Sequence, residues 1–400
     1  MKRREFVAAS GVVLGASILA GPDRFAGASE AGFPSVAPSS AGSAPVDESR
    51  AKVVDVHQHV IPDFYAAELE KRGMNVFAGA PLPAWSDRSA LTYMDAQEVS
   101  SAILSLPAPA VCFGERKQAA TLARRCNEFM AKAAQTHPAR FGGFAAIPQR
   151  EPGDACVEAV YALDQLGADG VQLLASDGQH FLGEPQFEEL IAELDKRKAK
   201  VFVHPNMHAT SQSLALGTPG YLVEFACDTT RAAVNLILSG TMERYPNISW
   251  ILAEGGGCLP YVAWRVSLAN ALPEFDDVAP QGVLHYLKRF YFDTALCASP
   301  SVLATLNELV DPSHLLYGSD WPYLPNVGER DFQFIQTTEL LTAPGREQLQ
   351  RGNALSLFPR FARQDEMVAA LPVYEVESSS HWALRQMKKP LSAIARSLKD

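Results

Sequence analysis

The sequence predicts an α/β fold, a (β/α)8 TIM barrel, and two observations carry this prediction. Short apolar runs alternate with longer amphipathic stretches through most of the chain, which is the pattern of parallel βα units. The short runs number eight, and eight units favour a closed barrel over an open sheet. The runs occupy residues 53–59, 101–109, 141–148, 170–175, 200–205, 248–256, 289–295 and 314–322.

The stretches between the runs are predicted as helices from their length and amphipathic pattern. Gly167 and Gly183 stand at boundaries between these stretches, as glycine often does at helix ends. Pro185 stands early in the helix that follows, where proline is tolerated. The predicted helices span residues 115–137, 154–166, 184–198, 222–244, 300–310 and 345–358. Together with the strands they predict a single barrel domain over residues 51–362.

The N-terminus is predicted to be a targeting segment that ends near residue 28. Arg3 and Arg4 stand ahead of Phe6, an apolar run covers 7–20, and the small residues 26–28 fit a cleavage site. The arginine pair favours a twin-arginine export signal over an ordinary secretory one. We therefore expect an exported protein, periplasmic or extracellular. Residues 29–50 read as a linker rich in Ser, Ala and Pro, and 363–400 as a C-terminal extension.

Composition excludes some partners. The 400 residues are 47% hydrophobic and carry a formal net charge of −10, so no basic nucleic-acid surface is expected. The apolar run near the N-terminus is too short and too rich in Gly and Ser for a membrane span, so none is expected in the mature protein. The six cysteines form no CxxC, and their spacing fixes no disulfide pairing. Small buried thiols are the favoured interpretation.

The candidate chemistry lies at the ends of four predicted strands. In the first run His57 and His59 are two residues apart, so both point to the same side of a strand. The fifth run ends at His204, the sixth at Glu254 and the eighth at Asp320. Because the carboxyl ends of barrel strands converge on one face, these side chains should meet there. Three imidazoles with a carboxylate are a ligand set for a divalent transition metal.

At these residues the sequence resembles the amidohydrolase superfamily, in particular its aminocarboxymuconate-semialdehyde decarboxylase-like branch. The motifs are D-x-H-x-H at Asp55, V-H-P at Val203, a strand ending in Gly-Gly-Gly, and G-S-D-x-P at Gly318. The likeness runs from about residue 53 to residue 360. The stretch FACDTTRAAVNLILSG at 225–240 further resembles 6-methylsalicylate decarboxylases.

This resemblance implies a (β/α)8 barrel with one divalent metal, zinc before manganese or another transition metal. It implies His57, His59, His204 and Asp320 as the metal ligands, with Asp320 also catalytic. The implied chemistry is non-oxidative decarboxylation, or hydrolysis, of a small and often aromatic carboxylate. A homodimer is a further expectation of the same kind.

Glu254 departs from the usual pattern of the family, in which a histidine stands at the end of strand six. A free glutamate has a pKa near 4.3, so it would be a base rather than an acid unless the site buries it. Three roles stay open: a catalytic base, a metal ligand or an orienting group, and a relic without function.

Three functions from different classes fit the sequence. The first is a metal-dependent carboxy-lyase acting on an aromatic or unsaturated acid, and the second is a metal-dependent hydrolase of a lactone, ester or amide. The third is an exported barrel that binds without catalysis. A carboxylate pocket would need a cation and flat apolar walls, and the weak candidates for these roles are Arg231, Trp85, Trp321, Phe64 and His208.

Overall fold

The structure is a computed structural model that describes residues 53–214 and 217–362. The predicted signal segment, linker and C-terminal extension lie outside the described residues. Eight parallel strands are hydrogen-bonded to one another in chain order, which confirms the predicted barrel. They are β1 Val53–His59, β2 Val99–Ser105, β3 Phe141–Ala146, β4 Gly170–Leu174, β5 Lys200–His204, β6 Ser249–Leu252, β7 Tyr291–Asp293 and β8 Leu315–Leu316.

The barrel closes between its first and last strands. Gln58 pairs in parallel with Trp321, and the His59 amide donates to the carbonyl of Trp321 at 2.7 Å. The Asp320 amide donates to the His57 carbonyl at 2.8 Å. These bonds join the ends of β1 and β8, so the residues that follow β8 lie directly beside the histidines of β1.

Helices follow the strands, and several are shorter or more broken than the sequence predicted. The predicted helix 222–244 is two helices separated at Gly240, whose φ of 76° ends the first one. The stretch 345–358 includes a π-helical turn over Gln348–Gly352. The principal helices are α1 Asp63–Lys71, α2 Asp87–Ala96, α3 Arg116–Thr136, α4 Pro152–Asp164, α5 Glu188–Lys196, α6 Ser211–Leu214, α7 Glu224–Leu238, α8 Thr241–Arg244, α9 Leu259–Val266, α10 Val283–Leu287, α11 Pro300–Leu309, α12 Pro325–Thr337, α13 Ala343–Glu347 and α14 Asn353–Leu357. Within the part of the chain that the structure describes, no helix is long and apolar enough to cross a membrane.

The barrel interior is an apolar cluster with the histidines directly above it. Val54 and Val56 belong to this cluster, and so does Phe202, whose ring lies 4.9 Å from the ring of His57. Strict alternation would send the valines and the histidines to opposite faces. Between Asp55 and Gln58, however, β1 has one residue more than β2, which is a β-bulge. The bulge changes the register, so both pairs can face inward.

Two elements outside the barrel lie over its carboxyl end, and the sequence did not predict them. A small hairpin pairs Val76–Phe77 with Ala80–Pro81. The second element is the 3-10 turn Gly220–Leu222, in which the Tyr221 amide donates to the carbonyl of Ala78 in the hairpin at 3.2 Å. These two elements form the roof of the cleft described below.

Candidate metal centre

The four side chains that the sequence singled out as ligands meet at one point. One ligand atom from each of His57, His59, His204 and Asp320 lies within 4.8 Å of the other three, and all four residues are buried. The Oδ1 atom of Asp320 lies 3.2 Å from Nε2 of His57 and 3.0 Å from Nε2 of His59. The rings of His59 and His204 have centroids 5.0 Å apart.

The Nδ1 atom of each of the three imidazoles lies close to an oxygen that can accept a hydrogen bond. Nδ1 of His57 lies 2.9 Å from Oδ2 of Asp293, and that of His204 lies 2.8 Å from the carbonyl of Pro205. Nδ1 of His59 lies 3.3 Å from the carbonyl of Ser105. A histidine that donates its Nδ1 proton to such a partner presents Nε2 as the free ligand, which is the usual arrangement around metals.

The electrostatics of two of the three imidazoles also suit a cation, whereas the burial of His57 is outweighed by Asp293 and then Asp320, which raise the pKa of His57 well above its usual value. Burial and the neighbouring His59 and His57 lower the pKa of His204 well below its usual value, and burial lowers that of His59. Both rings are therefore neutral and able to coordinate at neutral pH. Burial alone would raise the pKa of Asp320, but His57 and His59 hold it below its usual range.

One buried atom in this group has no hydrogen bond among the described residues. Nε2 of His57 lies close to Asp320 but is not aligned for a hydrogen bond. A buried polar nitrogen without a partner is costly, and coordination of a cation would satisfy it. With three inward nitrogens and one carboxylate, the donor set fits a divalent metal ion.

Asp293, at the end of β7, is a site residue that the sequence analysis missed. Its Oδ2 atom lies 2.9 Å from Nδ1 of His57, while its Oδ1 atom accepts the backbone amides of Glu254 at 2.9 Å and Ala295 at 3.0 Å. The side chain is fully buried. The signal was present, because Asp293 is the polar residue that ends an apolar strand, as His204 is in β5.

We expect Asp293→Asn to weaken metal binding by about 10–100-fold, the usual effect of losing the partner behind a ligating histidine. The measurement is a titration of the metal-free chain, with thermal unfolding as a check on folding. Asp331→Asn is the matched control, because Asp331 is also buried but contacts Arg330 and the Ala298 amide instead of a ligand. Unchanged metal affinity in Asp293→Asn would contradict the assigned role.

Asp55, two residues before His57, fastens the strand to the turn that carries Asp320. Its carboxylate accepts the hydroxyl of Ser319 at 2.6 Å and the amides of Ser319 and His57 at 3.1 and 3.0 Å. Burial raises its pKa to about 6. The first Asp of D-x-H-x-H is therefore a positioning residue, which holds the ends of β1 and β8 in register.

Glu254 stands on a tight turn after β6. Glu254 itself has a φ of 54°, and the three glycines that follow also have positive φ. At Gly257 a β-carbon would lie 2.1 Å from the carbonyl oxygen of Ala226 in α7, so only glycine fits. Asp320 also has a positive φ, of 60°. Strained backbone of this kind persists where the surrounding structure enforces it, most often at functional sites.

The Glu254 carboxyl is enclosed beside the four ligand candidates but is not one of them. Burial, followed by the negative charge of Asp320, raises its pKa to about 8, and Asp293 adds to the effect. Part of the residue stays accessible through the cleft. The condition under which a glutamate could act as an acid, namely burial, is therefore met in the absence of a cation.

A cleft of roughly 460 Å³, its open mouth included, leads to this point. Its polar end is formed by His59, His204, Glu254 and Asp320. The rest of its lining consists of apolar and aromatic residues with no Lys or Arg among those described: Phe77, Ala80, Pro107, Ala108, Tyr221, Phe225, Leu296, Tyr323 and Leu324. The cleft therefore suits a small flat apolar ligand whose charged end meets the ligand group.

None of the five weak substrate-binding candidates lines this cleft. Trp85 and Phe64 pack on Phe129 in the layer of helices, with ring centroids 5.8 and 6.1 Å away. Trp321 is buried and stacks on Tyr93.

The other two candidates also lie outside the cleft. Arg231 is exposed on α7, and the half-buried His208 stacks on Phe181 and contacts the carbonyl of Gln179. The walls come instead from Phe77, Tyr221, Phe225 and Tyr323. Aromatic type alone could not separate these from the aromatic residues that pack in the core.

Comparison with known proteins agrees with this geometry. A protein family described as Amidohydrolase matches residues 54–360 of the chain. The 6-methylsalicylic acid decarboxylase of Penicillium expansum is 33% identical over 313 residues, which cover 77% of this chain and 96% of that protein.

Two solved structures share the fold. A 2,6-dihydroxybenzoate decarboxylase complexed with 2,6-dihydroxybenzoate is 27% identical, with a TM-score of 0.65, and the match covers 78% of this chain and 100% of that one. A dihydroxybenzoic acid decarboxylase from Polaromonas sp. JS666, with bound manganese and the inhibitor 2-nitroresorcinol, is 24% identical. Its TM-score is 0.64, and the match covers 78% of this chain and 97% of that one.

Proposed function

The chain belongs to the amidohydrolase family, and from this premise we propose that it decarboxylates a 2-hydroxybenzoate, an aromatic acid with a hydroxyl beside its carboxylate. Its relatives are decarboxylases of aromatic acids, and the chain is a metal-dependent enzyme of that kind. Both 6-methylsalicylate and 2,6-dihydroxybenzoate, the acids of two relatives, are 2-hydroxybenzoates. The substrate class follows from what these two acids share.

The observation that carries the proposal is the contrast between the two ends of the cleft. Phe77, Phe225 and Tyr323 give flat apolar walls, while all ionisable carboxylates and imidazoles of the lining lie at the closed end. Since no Lys or Arg lines the described cleft, the carboxylate of the substrate has only the metal centre to neutralise it. A bound divalent cation supplies that positive charge and stabilises negative charge as it develops on the substrate oxygens.

The residues of the chain then have distinct tasks in the reaction. His57, His59, His204 and Asp320 hold the cation, and the aromatic walls orient the ring and exclude water. The negative charges of Asp320 and of the substrate carboxylate offset the charge of the cation, so the enclosed Glu254 keeps its proton and donates it to the ring carbon that bears the carboxylate. Carbon dioxide then leaves that carbon, and the electron pair of the broken bond restores the aromatic ring. The Glu254 carboxylate regains a proton through the accessible mouth of the cleft.

For the metal itself we propose zinc, with manganese as the alternative. Three imidazole nitrogens favour zinc among the common divalent ions, whereas the carboxylate also suits manganese. The related enzyme from Polaromonas contains manganese. Elemental analysis of the full chain, purified without chelator, should find close to one ion per chain. The elemental analysis also identifies the metal that is then supplied in the activity assays.

The proposed substrate is tested by the release of carbon dioxide. We expect turnover of 6-methylsalicylate with a kcat/KM about tenfold or more above that of 2,6-dihydroxybenzoate. The reason is that the apolar walls favour a methyl group over a second hydroxyl, whose desolvation finds few partners. 3-Hydroxybenzoate is the matched control, because its hydroxyl is no longer adjacent to the carboxylate.

Each other outcome of this assay has a defined meaning. Equal turnover of 3-hydroxybenzoate would contradict the 2-hydroxybenzoate class. Acid release from lactones or esters without carbon dioxide release would instead favour the hydrolase. A metal-loaded chain with no turnover of either kind would favour a binding protein.

The cellular location is a separate proposal that rests on the N-terminal sequence alone. We propose export through the twin-arginine pathway, which carries folded proteins with their metal already in place. Replacing Arg3 and Arg4 together by lysine should leave the protein in the cytoplasm. Fractionation of cells that express the two forms measures this directly.

A further inference from the structure

Two cysteines far apart in the sequence lie next to each other beside the cleft. Cys227 is on α7, two residues after the wall residue Phe225, and Cys258 directly follows the glycine turn that carries Glu254. The two thiols interact, and both residues are at least partly exposed to solvent. The spacing of the cysteines along the chain gave no indication of this pair.

The backbone around Cys258 is fixed against the same face of α7. Its amide donates to the Thr230 hydroxyl at 2.9 Å, and that hydroxyl donates to the carbonyl of Ala226 at 2.7 Å. Thr230 and Cys227 are three residues apart on α7, so they share a helix face. Gly257 approaches Ala226 so closely that no side chain fits between them. Cys258 is therefore held over the turn of α7 that bears Cys227.

The other four cysteines do not offer a comparable pair. Cys112 and Cys126 are buried, and burial raises the pKa of each thiol. Burial likewise raises the pKa of Cys297 well above its usual value. Cys156 is partly exposed, and it lies on α4. An oxidant in solution can therefore reach Cys258 most easily, with Cys227 as its neighbour.

From this geometry we propose that Cys227 and Cys258 form a disulfide under oxidising conditions, which joins α7 to the turn that carries Glu254. The oxidant is a disulfide, such as oxidised glutathione. The exposed Cys258 thiolate attacks one of its sulfurs, giving a mixed disulfide and releasing one glutathione thiolate. The Cys227 thiolate then attacks the Cys258 sulfur and releases the second glutathione, so two protein protons are lost for one bond formed.

The bond would connect two structural parts of the cleft. Phe225 lies on one side of it and Glu254 on the other, so it fixes the wall relative to the proton donor. It also closes a loop between residues 227 and 258, which restricts the unfolded chain. For a bond closing a loop of this length we expect Tm to rise by about 5 °C or more on oxidation.

The test treats the full chain with oxidised glutathione and then counts free thiols after denaturation. We expect the six thiols of the reduced chain to fall by two. Trypsin separates the cysteines, because peptide 201–231 contains only Cys227 and peptide 245–265 contains only Cys258. Mass spectrometry without reductant should find these two peptides joined, and reductant should separate them.

Cys258→Ser should lose both the joined peptides and the rise in Tm. Cys156→Ser, which removes a partly exposed thiol elsewhere, should keep both. The proposal is overturned if all six thiols stay free, or if Cys258 stops as a glutathione adduct while Cys227 stays reduced. A cross-link between any other pair of cysteines overturns it as well.

Discussion

Asp320→Ala is expected to lose the metal and, with it, the decarboxylase activity. Asp320 is the only carboxylate in the ligand group, and its Oδ1 atom lies within 3.2 Å of two ligand nitrogens. Removal leaves three imidazoles and no carboxylate in the ligand group. We expect metal affinity to fall by at least about a hundredfold, which is about 2.8 kcal/mol at 1.4 kcal/mol per factor of ten.

Metal titration and thermal unfolding together check this expectation. Metal that binds only the folded chain raises Tm, so the wild-type chain should gain several degrees on addition of metal and Asp320→Ala should not. The matched control is Asp177→Ala, because Asp177 is a buried Asp close after β4 that accepts the amides of Gln179 and His180. If Asp320→Ala binds metal normally, the ligand assignment is wrong.

Glu254→Gln is expected to keep the metal and lose turnover. The amide has the shape of the carboxylic acid but cannot deliver the proton to the ring carbon. Loss of a general acid typically costs 10²–10⁴-fold in rate, so we expect kcat to fall by at least about a hundredfold. KM should change little, because the walls and the ligand group remain in place.

The measurements are kcat, KM and metal content on the same preparations. Glu224→Gln is the matched control, since Glu224 is a buried glutamate at the start of α7 that does not line the cleft. Two results would contradict the assigned role. Loss of metal in Glu254→Gln would indicate that Glu254 is a metal ligand. Full activity would indicate that it is a relic without function in the reaction.

The sequence by itself determined the barrel and its candidate metal ligands, and the reason is that both depend on local pattern. Each strand is a short apolar run, and a polar residue at its carboxyl end must face the mouth of a parallel barrel. His57, His204 and Asp320 obey this rule, so they could be placed together without knowledge of any contact. Asp293 obeys it as well, so the same rule applied to the end of every strand would have placed Asp293 at the site.

The tertiary structure alone decided which groups surround the site, because these groups meet through long-range packing. The β-bulge at His57 depends on the register between β1 and β2, which no single strand encodes. The cleft walls come from a short hairpin and a 3-10 turn, whose residues Phe77 and Tyr221 lack any periodic signal. Burial raised the pKa of Glu254, and burial is a property of the assembled fold.

The neighbouring thiols of Cys227 and Cys258 show the same division. Their types and positions are plain in the sequence, yet six cysteines without close spacing allow many pairings. The contact arises because Gly257 allows the turn after β6 to approach the backbone of α7. Local chemistry therefore specified which residues can react, and the packing of distant elements specified which of them meet.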